Sequence, residues 1–416
     1  MKKLFLILLL PNLILFANVK DILGAYQPHS QDLEKTEVSQ KTSTSKRVFQ
    51  DQVLCSDVIA PSVGPIFQDQ HDFVIDAEFL YWYTGVTQLP YARKFKLTPL
   101  GDTTDPTAAV LTPVKFKHID WSWDPGVRLG LGVVTDHDGW DFYANWTYTY
   151  NSVTDSSSVP DYRGRDFSTT IINPAGTEIL TSPWIWLPHR DHFNRIKAKW
   201  SLLFNQIDLS IGRHYWLSPR LSVQPFAGLR GYWARMHFRV DAFRPFIDPP
   251  SFQNQIDSRS QFKQKSWAVG LLGGMNTTWH LTDHWSVFGM ADIALSYGKY
   301  TVDRQIDNLQ IQYGSFVPFR DVDFRTSDDI YRLQSFVDLS LGIRWETLIH
   351  QVYRLLFDLG WESHFLLNFS QIFVGTFQVG ATANLPPPLQ NASTDLPSSQ
   401  GNLTLSGIVL RGRFEF

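Results

Sequence analysis

The sequence predicts an all-β fold, a transmembrane antiparallel up-and-down barrel, and three observations lead there. Apolar and polar residues alternate with period two through long segments, tight turns alternate with long polar connections, and the last residues form an amphipathic strip ending on an aromatic. In that strip Phe416, Phe414, Gly412, Leu410 and Ile408 share one side, and Glu415, Arg413, Arg411 and Val409 the other. Successive side chains of a strand point to opposite faces, so the strip has a greasy face and a charged one. A closed barrel in lipid needs this pattern, apolar outside and polar inside.

Bulk properties agree. A soluble chain of 416 residues would usually divide into two or more domains, whereas a barrel can use that length as one unit. Aromatics make up 14% of the chain, with 15 Trp, as expected where rings sit at bilayer interfaces. A net charge of −3 and the lack of a basic run give no case for nucleic-acid binding. The single Cys55 excludes an internal disulfide and Cys-based metal motifs, and reads as a lone thiol or an intermolecular partner.

Lys2 and Lys3 precede an apolar run over 4–17 that is too short to span a bilayer and fits a signal peptide, residues 1–17, although Leu15 and Phe16 make a poor small-residue cleavage site. No later segment is apolar enough for a membrane helix, so only a barrel lets the chain cross lipid with its backbone groups paired. Residues 18–70 include a Gln-, Ser-, Thr- and Lys-rich stretch without period, read as a flexible polar arm; the barrel is assigned to 71–416.

The first strand puts Phe73, Ile75, Ala77, Phe79, Tyr81 and Tyr83 on one face and Asp76 and Glu78 on the other. The next, near 123–135, turns Val127, Leu129, Leu131 and Val133 outward and Gly126, Arg128, Gly130 and Gly132 inward, and a turn at 136–139 follows. In the third, Trp140, Phe142, Ala144, Trp146, Tyr148 and Tyr150 alternate with polar residues. The hairpin then recurs: Ile207, Leu209 and Ile211, then Leu221, Val223, Ala227, Leu229 and Trp233; next Trp267 to Trp279 and Trp285 to Tyr297; finally Leu333 to Trp345 and Tyr353 to Trp361. Arg213 and Trp216 fall out of phase near a turn and mark a place for a bulge.

Tight turns are expected near 136, 218, 283 and 348, and long polar connections at about 85–120, 151–195, 242–262, 303–326 and 367–401. Outer-membrane barrels have short periplasmic turns and long outer loops, which fixes the topology; the count is about ten strands, with 12–16 open because a long loop can hide a hairpin. Trp267 and Trp279 lie on one strand about 40 Å apart at roughly 3.3 Å per residue, or about 30 Å in height after a tilt near 40°, close to the separation of two aromatic girdles. Trp140, Trp146, Trp233, Trp267, Trp279, Trp285, Trp345 and Trp361 are assigned to those girdles, and Phe416 to an assembly signal read by the barrel-assembly machinery.

The segments FLYWYTGV (79–86), PGVRLGLGVVTDHDGWDFYANWTY (125–148), IDLSIGRHYWLSPRLSVQPFAGLRGYW (207–233) and KSWAVGLLGGMNTTWHLTDHWSVFG (265–289) resemble the Legionella-type major outer membrane protein family, which has members in environmental chlamydiae. The likeness covers roughly 70–416 and rests on Gly and aromatic patterns. It implies a porin-like barrel of the outer membrane of a Gram-negative-type bacterium and carries over no binding residues.

No constellation argues for catalysis, a cofactor or a metal. His137, His284 and His350 fall at the expected periplasmic turns, and His189, Asp191 and His192, the one compact group, read better as a solvated outer loop. The inward parity collects Asp76, Glu78, Arg128, Asp141, Asp208, Arg230, Asp292, Asp338, Arg344, Glu346, Arg354, Asp358, Glu362, Arg411, Arg413 and Glu415. Two readings stay open. Either these charges line a wetted pore for passive diffusion of small hydrophilic solutes or ions, or they pair across a narrow, plugged lumen in a structural or adhesive surface barrel that acts through its loops. The resemblance tips the expectation toward the pore. Outer-membrane lipid is the expected surrounding, and a homo-oligomer is left open.

Overall fold

The computed structural model describes residues 72–99, 109–135, 140–159, 178–185, 193–243, 258–311, 318–350, 353–372, 376–378, 393–395 and 399–416. All lie in the second of two compact units, Asp51–Phe416. The expected signal peptide at 1–17, the arm at 18–70 with Cys55, the 136–139 turn with His137, and the group His189, Asp191 and His192 fall outside the described residues.

In chain order the strands are β1 (Asp72–Val86), β2 (Pro90–Pro99), β3 (Ala109–His118), β4 (Trp123–Val134), β5 (Trp140–Ser158), β6 (Glu178–Thr181), β7 (Arg195–Arg213) and β8 (Tyr215–Ser218). They continue with β9 (Leu221–Phe243), β10 (Ser258–His280), β11 (Trp285–Ile311), β12 (Pro318–Ile349), β13 (Tyr353–Ile372), β14 (Thr376–Gln378), β15 (Ser393–Asp395) and β16 (Ser399–Glu415). Ten of these form a ring in the order β1, β4, β5, β7, β9, β10, β11, β12, β13, β16, closed by the antiparallel pairing of β16 with β1. Closure pairs every wall strand on both sides, so no edge is left facing lipid.

The count of ten is as expected, and so is the parity. Leu271, Ile293, Leu341 and Leu410 stand on the outside, Leu271 being 71% exposed, while Asp76, Arg230, Asp338 and Glu362 on the other parity are buried. The seam is made by Phe73 and Phe416, whose backbones exchange hydrogen bonds of 2.8 and 3.0 Å and whose rings lie 6.1 Å apart. β8 carries the expected irregularity, a register shift between Trp216 and Ser218. At the turn after β12, His350 takes φ 54°, the left-handed conformation that reverses a chain within a few residues.

The outer connections differ from expectation because the strands run on past the bilayer. β5 extends to Ser158, β9 to Phe243 and β11 to Ile311, and β12 begins at Pro318, so most of 303–326 is wall and not loop. The cause is a change in which parity is apolar. Along β9 the outward series ends its apolar part at Trp233 and continues Arg235, His237 and Arg239, while the inward series becomes Tyr232, Ala234, Met236, Phe238 and Val240. Above the lipid a barrel meets water outside and can bury apolar side chains inside, so the same period-two strand continues with its polarity inverted. The connection 85–120 does hold a hairpin, β2 with β3, but it joins β6 in a separate three-stranded sheet and adds nothing to the wall.

Candidate functional site in the barrel interior

All fourteen residues singled out as pore-lining, Asp76, Glu78, Arg128, Asp141, Asp208, Arg230, Asp292, Asp338, Arg344, Glu346, Arg354, Asp358, Arg411 and Arg413, point to the inside, and most of them meet there as one belt. Register makes the first links. Glu78 lies between Arg411 on β16 and Arg128 on β4, and accepts from Arg411 Nε at 2.6 Å and from Arg128 Nη1 at 2.6 Å. Asp358 is opposite both Arg344 and Arg411, accepting at 2.8 Å from the first and 3.4 Å from the second. Asp76 takes a two-pronged contact from Arg413, 2.6 and 3.1 Å, and Asp208 one from Arg230, 2.8 and 3.0 Å.

Other links cross the lumen. Arg128 reaches Glu362 on β13 with both terminal nitrogens, 3.1 and 2.9 Å, although β1 and β16 stand between their strands. Arg230 reaches Asp338 on β12 at 2.5 Å, past β10 and β11, and Asp292 at 3.3 Å. His364 bridges the two halves, with Nε2 3.1 Å from Glu362 and Nδ1 3.0 Å from Asp338. A continuous chain of paired polar side chains thus runs from Arg344 through Asp358, Arg411, Glu78, Arg128, Glu362, His364 and Asp338 to Arg230 and Asp208, acid alternating with base. His364 had not been singled out from the sequence; its shared inward parity with Glu362 and Asp358 was the available signal. Nearer the tight turns, Arg354 pairs separately with Glu346 at 2.5 Å and Glu415 at 3.1 Å, and Asp141 with His214 at 3.1 Å and Gln224.

On the turn side of the belt is a polar cavity of about 160 Å³, bordered by Asp76, Asn145, Gln206, Gln224, Asn276 and Arg413 among others. Two glycines make room beside it. A side chain at Gly132 would collide with the ring of Tyr143 opposite, and one at Gly342 with the ring of Phe288. No group of three or more His, Cys, Asp or Glu among the described residues is arranged to hold a metal ion.

On the outer side the interior turns apolar within one pleat. Leu80 follows Glu78, Tyr232 follows Arg230, Ala294 follows Asp292, Leu366 follows His364, and Phe336 and Val409 precede Asp338 and Arg411; all six are buried in one apolar cluster. Trp82 lies 4.8 Å from the ring of His364, and Phe336 5.2 Å from that of Tyr232. Further out, Trp184, carried by the connection after β6, packs edge-on against Phe262 at 5.4 Å and Phe238 at 6.0 Å. It is tied down by its Nε1 donating to the Pro90 carbonyl at 2.5 Å and by Arg304 donating to its own carbonyl at 3.1 Å. Sequence reading missed this apolar stopper, because alternation was followed only as far as the last outward aromatic or apolar residue of each strand, such as Tyr83, Tyr150, Trp233 and Tyr297.

The girdle tryptophans are outward. Trp140, Trp279 and Trp285 flank the tight turns, and Trp345 is in register with Trp285. Trp233 and Trp267 face each other across β9 and β10 at the other end of the apolar band, Trp361 packs edge-on with Trp123 at 5.9 Å, and Trp146 lies 6.1 Å from Tyr148.

A closed ten-strand wall, apolar outside between two levels of tryptophan and charged within, defines an integral β-barrel of the bacterial outer membrane. The family model for the Legionella pneumophila major outer membrane protein precursor matches residues 66–416, and the chain belongs to that family. No curated protein matches it. Among solved structures it is similar to the outer membrane protease OmpT from Escherichia coli, at 7% identity over 83% of this chain and 96% of that one with a TM-score of 0.33. The Pseudomonas putida toluene transporter TodX gives 9% identity, coverage of 85% and 92%, and a TM-score of 0.21; a Pseudomonas aeruginosa FadL homologue gives 9%, 84% and 90%, and 0.20. Similarity at these scores carries no argument about what this chain does.

Proposed function

We propose that this barrel is a pore for small hydrophilic solutes or ions, closed in the conformation described by its apolar stopper. One observation carries the reading, the concentration of charge inside the membrane-level wall. Buried ion pairs seldom stabilise a protein more than well-packed apolar side chains would, because desolvation offsets their attraction. A wall needing only rigidity could fill its lumen with leucine. Sixteen inward charged positions, ten of them bordering a polar cavity, fit a hydrated path, with the belt as its filter and Trp184 with its connection as the removable closure. No catalytic role is part of this proposal.

The second reading is a structural surface barrel with a permanently closed lumen. The contacts of Arg230 with Asp338 and of Arg128 with Glu362 favour it, since each bridges strands three places apart around the ring. Planar-bilayer recordings of folded protein separate the two. A pore gives discrete conductance steps, and Trp184→Ala raises the open probability. Silence from both proteins, each showing heat-modifiable mobility, sinks the pore and leaves the structural barrel.

A further inference from the structure

Where the polarity of the strands inverts, the outer surface becomes basic on one side only. β7, β9 and β10 are neighbours, and one pleat beyond Trp233 and Trp267 they place Arg235 directly opposite Lys265, then His237 opposite Lys263, then Arg239 opposite Lys199. Lys197 continues the series on β7. Like charges directly opposite on adjacent strands destabilise a sheet, so this arrangement calls for an anion outside it. Among the described residues Lys197, Lys199, Arg235, Lys263 and Lys265 make no ion pair. Two carboxylates adjoin the patch and both are engaged elsewhere: Asp241 is held by Arg239 at 3.0 Å and Arg259 at 2.7 Å, and Asp303, opposite Lys263 on β11, accepts from Ser327 Oγ at 2.6 Å.

The patch is local. On β5 the outward residues at the corresponding level are Ser152, Thr154, Ser156 and Ser158; on β11 Lys299 is neutralised by Asp329 at 2.9 Å, and Thr301 and Asp303 follow it opposite Lys265 and Lys263. Its height is informative too. Trp233 and Trp267 mark the edge of the apolar band, and two residues further along a strand is about 7 Å, the depth at which lipid headgroups begin. The outer leaflet of an outer membrane is built of phosphorylated glycolipid, and lysine is a compact point charge suited to phosphate.

We propose that Lys199, Arg235, Lys263 and Lys265 form a binding site for the phosphate groups of glycolipid in the surrounding outer leaflet, with Trp233 and Trp267 packed beside its acyl chains. The inference rests on residence in the outer membrane and on the direction of the barrel, and is independent of whether the lumen conducts.

The test measures retention of a bisphosphorylated glucosamine-disaccharide glycolipid by the folded, purified barrel, alongside the same lipid enzymatically dephosphorylated. The wild-type protein is expected to prefer the phosphorylated lipid by about tenfold or more, the order that two surface cations contribute near a membrane, with the preference falling as salt is raised. The variant Lys199→Gln, Arg235→Gln, Lys263→Gln, Lys265→Gln is expected to lose the preference. Equal binding of the two lipids by the wild type overturns the proposal, and that arm decides the matter even if the variant does not fold. A folded variant that keeps the preference overturns it as well. So does displacement of the lipid by millimolar inorganic phosphate, which would assign a free-anion site instead.

Discussion

Arg230 on β9 and Asp338 on β12 meet across the lumen, Nη1 to Oδ2 at 2.5 Å, with two strands of the wall between them. The contact fixes the interior at the level where polar lining gives way to apolar packing. Arg230 is also held by Asp208 at 2.8 Å, and Asp338 by His364 at 3.0 Å, so the pair sits inside a network.

Asp338→Asn tests what that network does. The substitution weakens charge-assisted contacts of Arg230 and His364 while leaving Arg230 its pair with Asp208, so the expected loss of stability is about 1.5–3 kcal/mol. Urea unfolding in lipid, followed by Trp fluorescence, reads it as a lower midpoint at unchanged slope. Combining it with Arg230→Gln should cost less than the sum of the two single changes, because both remove the same contact. Additive losses would mean that the pair does not act as a unit.

Lipid exposure sets a different cost. Leu341 is 49% exposed in the middle of the apolar band, and Leu341→Arg is expected to destabilise folding into bilayers by about 2–4 kcal/mol. Tyr331→Arg, on the same strand ten residues nearer its outer end, should cost about 0–1 kcal/mol. The folded fraction on a heat-modifiability gel ranks them. A reversed ranking is incompatible with this placement of the membrane.

Deleting Phe416 removes its hydrogen bonds with Phe73 and the ring contacts with Phe73 at 6.1 Å and Phe414 at 5.6 Å, at the seam where the ring closes. Slower and less complete barrel assembly is expected, with export unchanged. Wild-type assembly kinetics in the deletion variant would count against a role for this residue in closure.

The direction of the barrel is checked with epitope tags. One placed between Ile311 and Pro318 should be reached by antibody on intact cells, and one at Ser218 only after the outer membrane is opened. Equal access at both positions contradicts the orientation.

The sequence by itself determined the wall. Period-two alternation over Trp140 to Tyr150 or Trp285 to Tyr297 has a single structural meaning in a chain that must satisfy its backbone in lipid, so the barrel class, a count of about ten strands and the outward faces followed from local pattern. The inward parity of Glu78, Arg128 and Glu362 was legible in the same way. That Arg128 pairs with Glu362, 234 positions away, was not, because ring closure and strand register choose such partners, and neither was the placing of His364 between Glu362 and Asp338, which depends on how β12 and β13 pair. The apolar stopper was likewise decided by tertiary structure. Met236 and Phe238 have the same alternation as lipid-facing residues, and only their height relative to Trp233 and the arrival of Trp184 from another connection turn that alternation inward. Periodicity reports that a strand has two faces; which one meets lipid, water or the interior depends on where the rest of the chain puts the membrane edge.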